Sequence, residues 1–93
     1  MKLRAGQRSV VRSVELVINE TEDETQVTAS LEIDGATVSG WGRARRNPVD
    51  PRVPRIGEEL AAARALADLS HRIFDVATIE IEQFSSGEVH VHP

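Results

Sequence analysis

Five arginines crowd the middle of the chain: Arg43, Arg45, Arg46, Arg52 and Arg55. A guanidinium presents planar, bidentate donors that match phosphate oxygens, so this cluster is a candidate contact surface for an anionic partner. The bland reading has the same side chains in solvent, paired with Glu24 or Asp50. Trp41 stands just upstream. An exposed Trp beside arginines is a common anchor in protein and nucleic-acid contacts. It is equally what a tail or a second subunit would cover. His90-Val91-His92 sets two imidazoles on one side of an extended stretch, a partial metal site at most. With no third ligand in reach by sequence, the pair is read as part of a tail, and His71 as a surface residue near Asp68. No nucleophile–base pair, carboxylate dyad, glycine-rich phosphate loop or metal motif is present. Gly40-Trp41-Gly42 lies inside a strand and is no nucleotide fingerprint. The residues make no case for an enzyme, and no cofactor, metal or small-molecule substrate is expected.

Those side chains must be positioned by a small set of elements. Gln26 to Ile33 alternates cleanly, with Val27, Ala29, Leu31 and Ile33 on one face and Gln26, Thr28, Ser30 and Glu32 on the other. Asp34-Gly35 is a two-residue type I′ hairpin signal. It fixes the register with a strand over Ala36 to Arg45: Ile33 opposite Ala36, Leu31 opposite Val38, Ala29 opposite Gly40, Val27 opposite Gly42. On the other face Ser30 meets Ser39, Thr28 meets Trp41, Gln26 meets Arg43 and Glu24 meets Arg45. A further strand is expected upstream over Ser9 to Ile18, with Val10, Val14, Leu16 and Ile18 facing one way.

The stretch from Ile56 to Phe74 is rich in Ala, Leu, Glu and Arg, all strong helix formers. The spacing predicts a helix over 57–74, with Gly57 as N-cap and Glu58 and Glu59 in the first turn at the positive end of its dipole. Ile56, Leu60, Ala63, Ala67 and Phe74 share one face, flanked by Ala62, Leu66, Leu69 and Ile73. Arg64, Asp68, His71, Arg72 and Asp75 lie opposite, with Arg64/Asp68 and Asp68/Arg72 as i,i+4 pairs. The apolar arc spans about half the circumference, more than one sheet contact needs. Ala29, Gly40, Gly42 and Ala44 are small, which lets an alanine-rich helix approach closely. Asp75 to Glu82 combines strand-like alternation with a Thr78 N-cap; a separate short helix is the reading adopted. Residues 1–8 read as a flexible basic arm, 9–83 as one domain and 84–93 as a tail. The class is α+β: a three-stranded antiparallel sheet with one long helix packed on one face and a short C-terminal element.

The 93 residues carry a net charge of −4 and no cysteine, which excludes disulfides, thiol catalysis and cysteine zinc sites. Charge is segregated: Lys2, Arg4, Arg8 and Arg12 come first, then seven acids from Glu15 to Asp34, then the arginine cluster. Overall acidity argues against a generic nucleic-acid coat, while local basic stretches suit a specific anionic partner. No apolar run reaches membrane-spanning length, and no signal-peptide core follows the first residues. The expectation is a cytoplasmic protein without membrane contact.

The run Gly42-Arg43-Ala44-Arg45-Arg46-Asn47-Pro48-Val49-Asp50, then Val53-Pro54-Arg55-Ile56-Gly57-Glu58-Glu59-Leu60 and Ala63-Arg64-Ala65-Leu66-Ala67-Asp68-Leu69, resembles a small actinobacterial family of unknown function. The resemblance covers roughly residues 12–83. It implies a dsRBD-like β-β-β-α fold, a link to dormancy through mycobacterial members, and a homodimer similar in shape to ribosome hibernation-promoting factors. It implies no catalytic residues. On this reading the chain is a non-enzymatic, stress- or dormancy-associated binding protein. It would dock on the ribosome or structured RNA through Arg43, Arg45, Arg46, Arg52 and Arg55. The alternative is a dimeric protein–protein adaptor that binds no nucleic acid. Trp41, Thr28, Leu66, Leu69 and Ile73 are the candidate dimer or partner interface.

Overall fold

The computed structural model describes residues 6–86. Three strands, β1 (Val14–Glu20), β2 (Glu24–Ile33) and β3 (Ala36–Arg45), precede one helix, α1 (Pro54–Ser86). The sheet is antiparallel in the order β1-β2-β3. The expected α+β architecture is the one found. Residues 9–13 do not join β1, which begins at Val14 rather than Ser9. Pairing stops at Val14 opposite Leu31, two residues short of the end of β2 at Ile33.

The β2–β3 register matches the hairpin argument pair for pair, from Glu24 opposite Arg45 to Ile33 opposite Ala36. Asp34 at φ 50° and Gly35 at φ 85° supply the two left-handed residues a type I′ turn demands. At the other end Thr21 closes the β1–β2 connection. Its N–H donates to the Glu24 carbonyl at 2.8 Å, and its hydroxyl accepts from the Glu24 N–H at 3.1 Å.

The core is small and made of small residues: Val27, Ala29, Ala44, Ala61, Ala65 and Leu69 are buried, with Leu31, Val38, Ala62 and Ile73 packed at its edge. The close approach expected from the glycines is real. A Cβ added at Gly40 would lie 2.6 Å from the Ala65 carbonyl oxygen and collide with the Leu69 backbone nitrogen. One at Gly42 would collide with the Ala61 carbonyl and the Ala65 nitrogen. Helix backbone and strand backbone are therefore in direct contact. Only the face carrying Ala61, Ala65 and Leu69 permits that. Ile56, Leu60 and Phe74, grouped on the apolar arc, consequently lie on the outside.

α1 is longer than expected, 33 residues in one piece. It starts at Pro54, so Gly57 is inside the helix and is not its cap. A side chain there would press on the buried Thr25 hydroxyl at 3.0 Å. The short C-terminal helix proposed after Phe74 is the continuation of α1, with no break. Nothing between Glu58 and Ser86 is Gly or Pro. Thr78 does not cap; its hydroxyl donates to the Phe74 carbonyl one turn back, at 2.9 Å. Helix residues 84–86 also lie beyond the domain boundary drawn at residue 83. His90 and His92 lie outside the described residues, as does most of the arm 1–8.

Gly42→Ala is expected to destabilise the fold by about 3 kcal/mol, the upper range for overpacking, because only backbone can yield. Gly35→Ala, where a Cβ meets open space and only the positive φ is strained, should cost about 1–2 kcal/mol. Urea unfolding of the two variants measures the difference. Equal losses would mean that the helix–sheet spacing is soft.

Candidate binding surfaces

The helix covers one sheet face and leaves the other bare. On the bare face, alternate β3 positions carry Trp41, Arg43 and Arg45 beyond Thr37 and Ser39, and β2 contributes Gln26, Thr28, Ser30 and Glu32. The Ser30 and Ser39 hydroxyls meet at 2.8 Å, as the register requires. The Arg43 guanidinium sits 5.7 Å from the centre of the Trp41 ring, a cation–π distance. Its Nε also lies 3.2 Å from Glu24 Oε2. That carboxylate oxygen has no properly directed hydrogen bond, so the approach is an ion pair only. Trp41 remains 49% exposed.

The five arginines do not form one surface. Arg43 is committed to Trp41 and Glu24. Arg46 is a structural staple. Its guanidinium donates to the Asp50 carbonyl at 2.9 Å and to Asp23 Oδ1 at 3.2 Å, while its own N–H donates to the Asp23 carbonyl at 2.9 Å. It thereby ties the 21–23 turn to the loop after β3. Arg55 pairs loosely with Glu59 at 3.9 Å, both exposed. The side chains of Arg45 and Arg52 have no partner among the described residues.

Arg45 and Arg52 border a cleft of about 680 Å³ between the 21–23 turn, the loop after β3 and the start of α1. The first turn of α1 holds no acid. Glu58 and Glu59, expected in that turn, begin the second one because the helix starts at Pro54. The cleft nevertheless has a mixed lining, since Glu20, Glu22, Asp23, Glu24 and Asp50 share it with Arg45, Arg46 and Arg52. Among the described residues no group of three His, Cys, Asp or Glu is placed to hold a metal ion.

The residues proposed for a dimer or partner interface fall on different surfaces. Trp41 and the half-buried Thr28 are on the bare face. Leu66 is 41% exposed on the flank of α1, and Ile73 is partly buried at the core's rim. Leu69 is in the core at 3% exposure and has little area left for a partner.

Two polar contacts escaped the sequence reading. The Trp41 N–H donates to Asp68 Oδ2 at 2.8 Å, and the Arg64 guanidinium donates to the Arg43 carbonyl at 2.8 Å. Both close the outer backbone edge of β3 with helix side chains. Arg64 is thus not paired with Asp68, whereas Arg72 is, at 3.1 Å. The i,i+4 spacing that suggested surface pairs was the visible signal; the direction of the side chains was not. His71 is exposed, its Nδ1 3.0 Å from the Ala67 carbonyl of its own helix. No helix is long and apolar enough to cross a membrane among the described residues.

A three-stranded antiparallel sheet with one long helix packed on one face defines a small single-domain α+β fold. The Rv2632c-like family model matches residues 11–90, and the chain belongs to that family. It is 44% identical over 70 residues to the uncharacterized protein Mb1767 of Mycobacterium bovis, covering 75% of this chain and 74% of that one. It is 39% identical over 69 residues to the uncharacterized protein Rv2632c of Mycobacterium tuberculosis, covering 74% of each. The crystal structure of Rv2632c superposes with a TM-score of 0.78 at 32% identity, over 96% of this chain and all of that one.

The Trp41 N–H and then Arg72 hold the Asp68 carboxyl below its ordinary 3.8. Ionised Asp68 therefore favours the folded state above that ordinary value. The contribution fades as pH falls below 3.8 and is gone once the folded carboxyl is protonated. Asp68→Asn should unfold more readily than the parent at neutral pH, with the gap closing on acidification. Urea midpoints across that range test this; a gap independent of pH would detach Asp68's role from its charge.

Proposed function

We propose that the chain is a non-enzymatic binding protein that acts as a homodimer in the cytoplasm and docks on structured RNA, the ribosome foremost, through its bare sheet face. The observation that carries the docking is the row Trp41, Arg43, Arg45 on alternate β3 positions, with Arg43 against the Trp41 ring. A flat polar sheet with a stacked Trp–Arg pair offers a π surface for a base and donors for phosphate. Arg52, unpartnered in the loop after β3, lines the same cleft as Arg45 and would add a second cation beside it. The roles of Arg46 and Arg55 are reassigned: Arg46 holds loops together, and Arg55 is peripheral. The link to stress or dormancy rests on the family resemblance alone.

The adaptor reading has an observation of its own. The acidic 20–24 turn borders the arginines and would repel a phosphate backbone, whereas a protein partner would tolerate it. The two readings separate on salt. Co-sedimentation with ribosomes of the same host should be strong at low salt and weaken steeply as salt rises. Arg45→Glu combined with Arg52→Glu should reduce binding at least tenfold and flatten the log–log salt slope by about 2. Absence of binding at low salt, or binding indifferent to both salt and these substitutions, overturns RNA docking in favour of the adaptor.

A further inference from the structure

The strand order leaves two sheet edges, and they are treated differently. At β3 the outward backbone is already used, its Trp41 N–H by Asp68 and its Arg43 carbonyl by Arg64. At β1 nothing of the kind exists among the described residues. β1 reads Val-Glu-Leu-Val-Ile-Asn-Glu. It contains none of the lysines, prolines or bulge-forming glycines that usually blunt an exposed edge. Its apolar side is open as well. Val14, Leu16 and Ile18 stand opposite Leu31, Ala29 and Val27, which puts them on the helix side of the sheet. Yet α1 rides over β3 and β2 and scarcely reaches β1, leaving the three at 42%, 39% and 37% exposure. Exposed Leu66 overlooks the same strip from the helix flank.

We infer that β1 is the seam of the homodimer: it pairs antiparallel with β1 of a second copy about Leu16, giving one six-stranded sheet with both helices on one side. This rests on the homodimer proposed above and specifies its surface. A two-fold axis perpendicular to the sheet sets helix-side residues opposite helix-side residues. Centring on Leu16 places Leu16 against Leu16, and Val14 and Ile18 of each copy against Ile18 and Val14 of the other. It also brings Arg12 of each copy opposite Glu20 of the other, just beyond the strand. Centring on Val17 sets Val14 against Glu20, and centring on Ile18 sets Leu16 against Glu20. Only the Leu16 register matches apolar with apolar and base with acid. A second copy thus satisfies the free edge and the uncovered strip together, and sets a further acid beside Arg12, which within its own chain lies 3.6 Å from the exposed Asp34 carboxylate.

The absence of cysteine makes the seam testable by single substitutions. Under mild oxidation Leu16→Cys should form an inter-chain disulfide at least tenfold faster than Trp41→Cys or Phe84→Cys. Independently of how Leu16→Cys folds, the two charges at the ends of the seam give a second test, by sedimentation of the whole chain. Arg12→Glu and Glu20→Arg should each weaken dimerisation about fivefold or more, and the double reversal should restore it. A dimer that cross-links faster through Phe84 or Trp41, or in which the double reversal restores nothing, overturns the seam and leaves the homodimer standing. A monomer at micromolar concentration overturns both.

Discussion

The structure hangs on the distance between one helix and two glycines. Gly40 and Gly42 bring β3 against the backbone of α1 at Ala61, Ala65 and Leu69, closer than any residue with a Cβ would permit. This replaces a thick layer of interdigitating side chains with direct contact between main chains. The contribution per residue from buried apolar area is then small. Dispersion between closely packed atoms compensates, because it falls off steeply with any gap. A core built this way tolerates little substitution on either side of the contact.

The same contact decides where everything else lies. A helix seated on Gly40 and Gly42 is centred toward the β3 side of the sheet. Arg64 and Asp68 then overhang the β3 edge and cap it, while β1 lies outside the helix's footprint. The Trp41–Arg43 pair is held on the opposite face by the alternation of the strand. Trp41 is anchored at its backbone by Asp68 and at its ring by Arg43, so the helix indirectly fixes a side chain on the face it does not touch.

Much of this was legible in the sequence where chemistry is local. Asp34-Gly35 alone set ten cross-strand pairs, because a two-residue turn leaves no freedom of register. The helix was legible in kind but not in orientation. An apolar arc through Ile56, Leu60 and Phe74 suggested an inward face, whereas close approach selects by size and turned Ala61 and Ala65 inward. The continuation past Phe74 was hidden because Ile79 and Ile81 alternate like a strand, and periodicity over so few residues does not separate the two. The arginine cluster was visible as composition, but its division into staple, stack and free side chains depends on Asp23, Glu24 and backbone carbonyls brought from elsewhere in the chain. The family resemblance read from residues 42–69 led to the family that the comparisons show; it did not reveal which surface is used.

The length of α1 has a mechanical consequence. It is pinned near Leu69, and residues 79–85, toward its far end, are all exposed. By the helical rise, its tip is about 25 Å from that pivot. Each degree of tilt at the glycine contact therefore displaces the tip by nearly half an ångström. The helix is a lever whose fulcrum is the glycine pair. A partner gripping Ile81 or Phe84 would exert the greatest leverage on the fold, and a single methyl group added at the fulcrum would be magnified at the far end.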